Sequence, residues 1–107
     1  MKDIYLHDLL KTVNIKFSSR LVNALIRDIT FNSKEAGRGS LFLGLPGKKV
    51  DGGNYWKEAI KNGAEAAIIS KEAEKITGDI NSQKVLALTE PLDNIFGQII
   101  SEFWDKP

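Results

Sequence analysis

The chain has no cysteine, one histidine, one methionine and three prolines among its 107 residues. Without cysteine there can be no disulfide scaffold, thiolate zinc site or cysteine nucleophile, and nothing points to an oxidising compartment. A lone histidine, His7, supplies neither a histidine metal cluster nor an acid–base pair. The 14 carboxylates are dispersed rather than grouped, so the inventory is poor in the groups that carry catalysis. Charge of one sign is lacking too: 15 Lys and Arg against 14 Asp and Glu leave a net +1, too small a field to attract nucleic acid or an anionic membrane. No apolar run approaches the roughly 20 residues needed to cross a bilayer, and Met1-Lys2-Asp3 opens no signal peptide. These absences predict a cytoplasmic protein with neither nucleic acid nor membrane as partner.

What is present is ordinary for a soluble domain, with 42% hydrophobic and 27% charged residues. The length predicts one domain over residues 1–107, with room for a core but not for a second catalytic lobe. Glycine is the exception to this evenness. Six of the nine glycines fall within residues 32–54, with Gly63 just beyond, and Lys48 and Lys49 sit among them. Such a stretch can expose unhindered backbone N–H groups and cations to a phosphate or carboxylate, or it can be a connector that needs glycine for its turns and lysine for solubility. It is no P-loop, because Val50 follows the lysines where a hydroxyl residue is required. Gly37-Arg38-Gly39 is too short for a dinucleotide fingerprint and reads as a turn.

The apolar spacing predicts a short helix over Ile4, Leu6, Leu9, Leu10 and Val13, then a loop over 14–24. Ile26–Phe31 reads as a half-buried strand ended by Asn32-Ser33, and Ser40–Leu45 as a buried strand bounded by Gly39 and Pro46-Gly47. Asn54 is placed to cap a helix of about two turns carrying Tyr55, Trp56, Ala59 and Ile60 and stopped at Gly63. Ala64–Ile69 follows as a second buried strand, so residues 40–69 form a strand–helix–strand unit with parallel strands and a right-handed crossover. Residues 70–83, including Lys71, Glu72, Glu74 and Lys75, read as a solvated surface stretch. Lys84–Leu88 makes another strand, and Thr89-Glu90-Pro91 starts a helix whose Leu92, Ile95, Phe96, Ile99, Ile100 and Phe103 keep one unbroken stripe. The fold class is therefore α/β, a small mixed or parallel sheet flanked by helices. Ser33 after a strand end is either a ligand contact or a plain turn residue. Of Tyr55 and Trp56, adjacent at a helix start, one is expected in the core and one at a rim that could stack on a base. His7 reads as a polar residue of the first helix, and the region of Trp104 as closing the last helix onto the sheet.

Taken in order, Ile29-Thr30-Phe31-Asn32-Ser33-Lys34, Gly39-Ser40-Leu41-Phe42-Leu43-Gly44-Leu45-Pro46-Gly47, Asp51-Gly52, Ala59-Ile60 and Gly63-Ala64-Glu65-Ala66-Ala67-Ile68 resemble the N-terminal domain of the Mur ligases. In that family a strand ends in Asp-Ser-Arg, followed by Gly-x-Leu-Phe-Val-Ala, a glycine, Asp-Gly, and a helix ending Ala-Ile-x-x-Gly-Ala. Phe103-Trp104-x-x-Pro107 looks like the closing residues of the MurE type, which adds the third peptide residue, rather than of the MurF type. The resemblance implies a domain that holds the uridine diphosphate end of UDP-N-acetylmuramoyl-L-alanyl-D-glutamate (UDP-MurNAc-L-Ala-D-Glu). Phe31, Ser33, Lys48, Lys49 and Val50 are the implied substrate contacts, with no catalytic residue and no metal ligand in the chain. It also implies that ATP and Mg2+ act in a central domain absent here, together with a C-terminal domain, where the D-glutamate carboxylate is activated for the amine of diaminopimelate or lysine. Asn32 and Lys34 depart from the family's Asp and Arg, and Gly-Thr-Asn-Gly-Lys-Thr-Thr, its ATP loop, does not occur. An isolated first domain, inactive alone, is the expectation; a MurF-type domain or a free-standing interaction module are the alternatives.

Overall fold

A computed structural model describes residues 3–78, 82–89 and 91–105. The elements run β1 (Ile4–Tyr5), α1 (Leu6–Thr12), β2 (Leu25–Ile26), β3 (Asp28–Thr30), β4 (Ser40–Leu43), α2 (Trp56–Lys61), β5 (Ala66–Ser70), α3 (Lys71–Thr77), β6 (Val85–Leu88) and α4 (Leu92–Asp105), with 3-10 turns at Ser33–Glu35 and Gly52–Tyr55. Strands β3-β4-β5-β6 form a parallel sheet in sequence order, and β1 pairs antiparallel with β2 in a separate two-stranded sheet. Of the motif residues quoted above, Glu90 and Pro107 lie outside the described residues.

Strands β4 and β5 are buried at every position because both faces of the sheet are covered. Side chains alternate between two cores. Leu41, Leu43, Ala66, Ile68 and Leu88 point to a face where Leu6, Leu9 and Leu10 of α1 and Leu92, Phe96, Ile99 and Phe103 of α4 meet them. Phe42, Ala67 and Ile69 point to the other, against Trp56 and Ala59 of α2 and Ala73 of α3. Full burial of each large apolar side chain of α4 stabilises by about 1.5–3 kcal/mol relative to exposure. Phe103 is buried at 1% exposure and meets Trp104 edge-on, ring centroids 4.9 Å apart. It is therefore Phe103, not Trp104 (45% exposed), that closes α4 onto the sheet.

Four sequence expectations change. The stretch 26–31 is not one strand: Leu25–Ile26 pairs with β1 while Asp28–Thr30 pairs with β4, and the chain changes sheets at exposed Arg27. Likewise Ile4–Tyr5 is strand rather than the start of the first helix. Residues 70–83 contain α3, which the charged composition hid because only Ala73 among its seven residues is buried. Its signals were at the ends, where the Ser70 hydroxyl accepts from Ala73 N–H at 2.9 Å and Gly78 adopts φ +76° as the left-handed cap. Nor does Asn54 cap α2. Asp51 caps the preceding 3-10 turn by accepting from Gly53 N–H at 2.8 Å, and Asn54 Oδ1 is buried with no hydrogen-bond partner among the described residues.

Ile99→Ala should cost about 2–5 kcal/mol, since a fully buried side chain leaves a cavity. Ile76→Ala, at a side chain 69% exposed on α3, should stay within about 0.5 kcal/mol. Urea unfolding of the two variants checks the assignment of the core faces; equal losses would contradict it.

Candidate functional site

The carboxyl end of β3 runs into a polar turn built by its own side chains. Thr30 Oγ1 accepts from Asn32 N–H at 3.0 Å, and Asn32 Oδ1 accepts from Lys34 N–H at 2.9 Å. A neutral asparagine thus makes the turn without a carboxylate. The turn leaves Phe31 47% exposed, its ring 6.2 Å from that of Phe96, and buries Ser33. Two bonds tie Ser33 to α2: its hydroxyl donates to Glu58 Oε1 at 2.5 Å, and its carbonyl accepts from Asn62 Nδ2 at 3.0 Å. An open cleft of about 360 Å3 results, lined by Phe31, Ser33, Lys34, Gly52, Tyr55 and Glu58 among others. Tyr55 is half exposed at its rim while Trp56 is buried, donating its indole N–H to Thr77 Oγ1 at 2.8 Å.

The glycine-rich loop after β4 is folded on itself. Pro46 bridges Asp51, Gly47 N–H donates to Val50 O at 3.0 Å, Gly52 N–H to Leu45 O at 3.0 Å and Gly53 N–H to Asp51 Oδ1. These glycine donors are therefore committed within the loop rather than offered to an anion. Close approach explains glycine at Gly44, where an added Cβ would lie 2.3 Å from Gly53 Cα, and at Gly52, where it would lie 2.7 Å from Leu45 O. Lys48, Lys49 and Val50 are exposed at the tip of this turn. The cleft thus brings Phe31 and Ser33 together with Gly52 of the loop, while Lys48, Lys49 and Val50 lie outside its lining.

A second polar link holds the base of the loop. Asp51 accepts from Gly53 N–H with Oδ1 and from the Ser70 hydroxyl with Oδ2, and Ser70 in turn caps α3. The Asp-Gly pair therefore joins the loop to the carboxyl end of β5. Sequence reasoning missed Glu58 because its partner Ser33 is 25 residues away, and no spacing rule pairs a helix carboxylate with a turn hydroxyl at that distance.

The architecture defines a parallel α/β domain with an aromatic, polar cleft at the carboxyl edge of its sheet. The same fold occurs in MurF from Acinetobacter baumannii (TM-score 0.65, 20% identity, 92% of this chain and 20% of that one). It also occurs in the MurF ligase from Thermotoga maritima solved with ADP (TM-score 0.53, 27% identity, 77% of this chain and 17% of that one). A family model described as "Mur ligase family, catalytic domain" matches residues 25–101, and the chain belongs to the Mur ligase family. Over all 107 residues it is 52% identical to a UDP-N-acetylmuramoyl-L-alanyl-D-glutamate--2,6-diaminopimelate ligase of Prochlorococcus marinus subsp. pastoris (strain CCMP1986 / NIES-2087 / MED4). It is 31% identical over 91 residues, 85% of this chain and 18% of that protein, to the ligase of the same name from Thermosynechococcus vestitus (strain NIES-2133 / IAM M-273 / BP-1). The chain spans about a fifth of the length of these relatives, 21% of the first.

Ser70→Ala removes the cap of α3 and the hydroxyl on Asp51 together, and should cost about 1–2 kcal/mol. Amide exchange at Gly53 and Ala73 should quicken more than at Ile99. Unchanged protection at both amides would show that the link does not hold the loop.

Proposed function

We propose that this chain is the domain that holds UDP-MurNAc-L-Ala-D-Glu in a MurE-type ligase of peptidoglycan precursor synthesis, a cytoplasmic enzyme that adds diaminopimelate as the third peptide residue. The observation that carries the reading is the 52% identity, along the whole chain, to a relative named for that reaction. The solved MurF structures, at 20% and 27% identity, lie well below the 52% of that relative and do not favour the MurF alternative. Residues 1–107 act as the N-terminal, substrate-holding unit, and the ATP-binding and C-terminal domains of the parent ligase are its partners.

Phe31 offers an apolar ring face beside the uracil, Ser33 a polar edge, and Lys48 and Lys49, followed by Val50, bring charge toward the diphosphate. Phe31 and Ser33 supporting one cleft agrees with these roles. Because the lysines are exposed, their attraction is screened, well below the roughly 1.5–3 kcal/mol of a sheltered charge-assisted bond. The domain's contribution is remote binding energy that positions the reacting carboxylate elsewhere in the parent. On this reading ATP and Mg2+ belong to the other domains of the parent ligase. Among the described residues no three His, Cys, Asp or Glu side chains gather where a metal ion could sit, and the glycine donors of the loop are already bonded. No step of the reaction is therefore assigned to these residues.

Millimolar UDP should shift the amide signals of Phe31, Ser33 and residues 47–51, and ATP should not. Shifts confined to other residues would refute the site. Replacing Lys48 and Lys49 together by alanine should weaken UDP binding more at low salt than at high salt. A salt dependence equal to that of the unaltered chain would remove the lysines from the account.

A further inference from the structure

We propose that Glu58 is a specificity-determining residue of the cleft: its carboxylate accepts a hydrogen bond from an N–H or O–H donor on the nucleoside half of the bound UDP group. This rests on the reading of the cleft as the UDP site. Glu58 lies in the first turn of α2 and lines the cleft beside Phe31, Ser33 and Tyr55. Its Oε1 accepts a hydrogen bond from the Ser33 hydroxyl at 2.5 Å. Once that proton is committed, the hydroxyl can only accept, and a carboxylate is an acceptor throughout. The Ser33–Glu58 pair is thus acceptor-only, and favours a ligand that presents a donor to it.

The position of the carboxylate is set before any ligand arrives. Asn62 closes a frame around it, its backbone N–H donating to Glu58 O at 2.9 Å and its side-chain amide to Ser33 O at 3.0 Å. Among the described residues the ion pairs within 4.0 Å join Arg27 to Asp3 and Lys71 to Glu74, so Glu58 is not spent on a cation. Its second oxygen, Oε2, carries no hydrogen bond to the described residues, while Phe31 and Tyr55 offer aromatic surface, each 47% exposed, on which a flat ring can lie. A uridine fits this chemistry in two places: the ring imide N–H and the ribose hydroxyls. Both are donors attached to a group that aromatic walls can flank; Glu58 is exposed in the free chain, and a bound ring that covers it leaves its carboxylate unpaired when the analogue lacks the donor.

The test is calorimetric titration of the 107-residue chain with UDP, N3-methyl-UDP, which lacks the imide N–H, and 2′,3′-dideoxy-UDP, which lacks the ribose hydroxyls. The unaltered chain should bind one of the two analogues about tenfold or more weakly than UDP, which identifies the donor. In Glu58→Ala, UDP should fall to the affinity of that analogue and the discrimination should vanish; Glu58→Gln, which keeps a neutral acceptor for Ser33, should lie between. A structural role alone would weaken all three ligands equally. Glu58→Ala that folds, by circular dichroism, yet keeps the full preference for UDP overturns the assignment, as does an unaltered chain that binds all three alike. Should Glu58→Ala fail to fold, Glu58→Gln with undiminished discrimination overturns it equally. Absence of UDP binding to the unaltered chain would instead refute the reading of the cleft, and this inference with it.

Discussion

Two adjacent parallel strands, β4 and β5, buried on both faces, impose the constraint from which the remaining architecture follows. A parallel sheet ordered β3-β4-β5-β6 advances in one direction, and crossovers of one hand then deliver their helices to one face. Helices α2 and α3 accordingly cover Phe42, Ala67 and Ile69. Nothing in the crossovers can cover Leu41, Leu43, Ala66 and Ile68, so that face depends on α1, before the sheet, and α4, after it. The two-stranded β1–β2 pairing follows from the same need: it brings the start of α1 beside the chain as it enters β3, with Leu6 N–H donating to Ala24 O at 2.9 Å.

The same layering places the cleft. Strands that end at one edge release their connections there, and the connections after β3 and β4 meet beside the start of α2. Small residues let them meet closely: Gly44 and Gly53 approach until no Cβ fits between them. Ser33 and Asp51 then fasten each connection to its neighbour, the first to Glu58 of α2 and the second to Ser70 at the end of β5. Substrate positioning of the kind proposed needs a rigid frame rather than reactive groups, and short connections bonded at both ends provide one. The glycine-rich loop is part of that frame, with its own N–H groups bonded, and the charge it carries is left at an exposed tip.

How much could be read in advance differs by element. The stripe of α4 was legible because six apolar residues keep helical spacing without exception, and β5 because an apolar run follows a left-handed glycine, Gly63 at φ +114°. Helix α3 was not, since a seven-residue helix that buries a single alanine has almost no periodicity and announces itself only through Ser70 and Gly78. The division of Leu25–Thr30 between two sheets was equally hidden. Its partners, Ile4–Tyr5 and Ser40–Phe42, are set by pairing across the fold, which local alternation does not record.

The sequence by itself determined the α/β class, the family, and the positions of Phe31, Ser33 and the lysine loop, because these rest on local spacing and on an ordered series of short motifs. Only the tertiary structure decided which of those residues share a cleft. It placed Phe31 and Ser33 there and the lysines outside, it chose Tyr55 over Trp56 as the rim residue, and it brought in Glu58 from a helix 25 residues beyond Ser33. The reason is physical. Periodicity reports which side of an element faces the core, whereas a binding site is made where separate connections converge, and that convergence is set by how the buried sheet is layered.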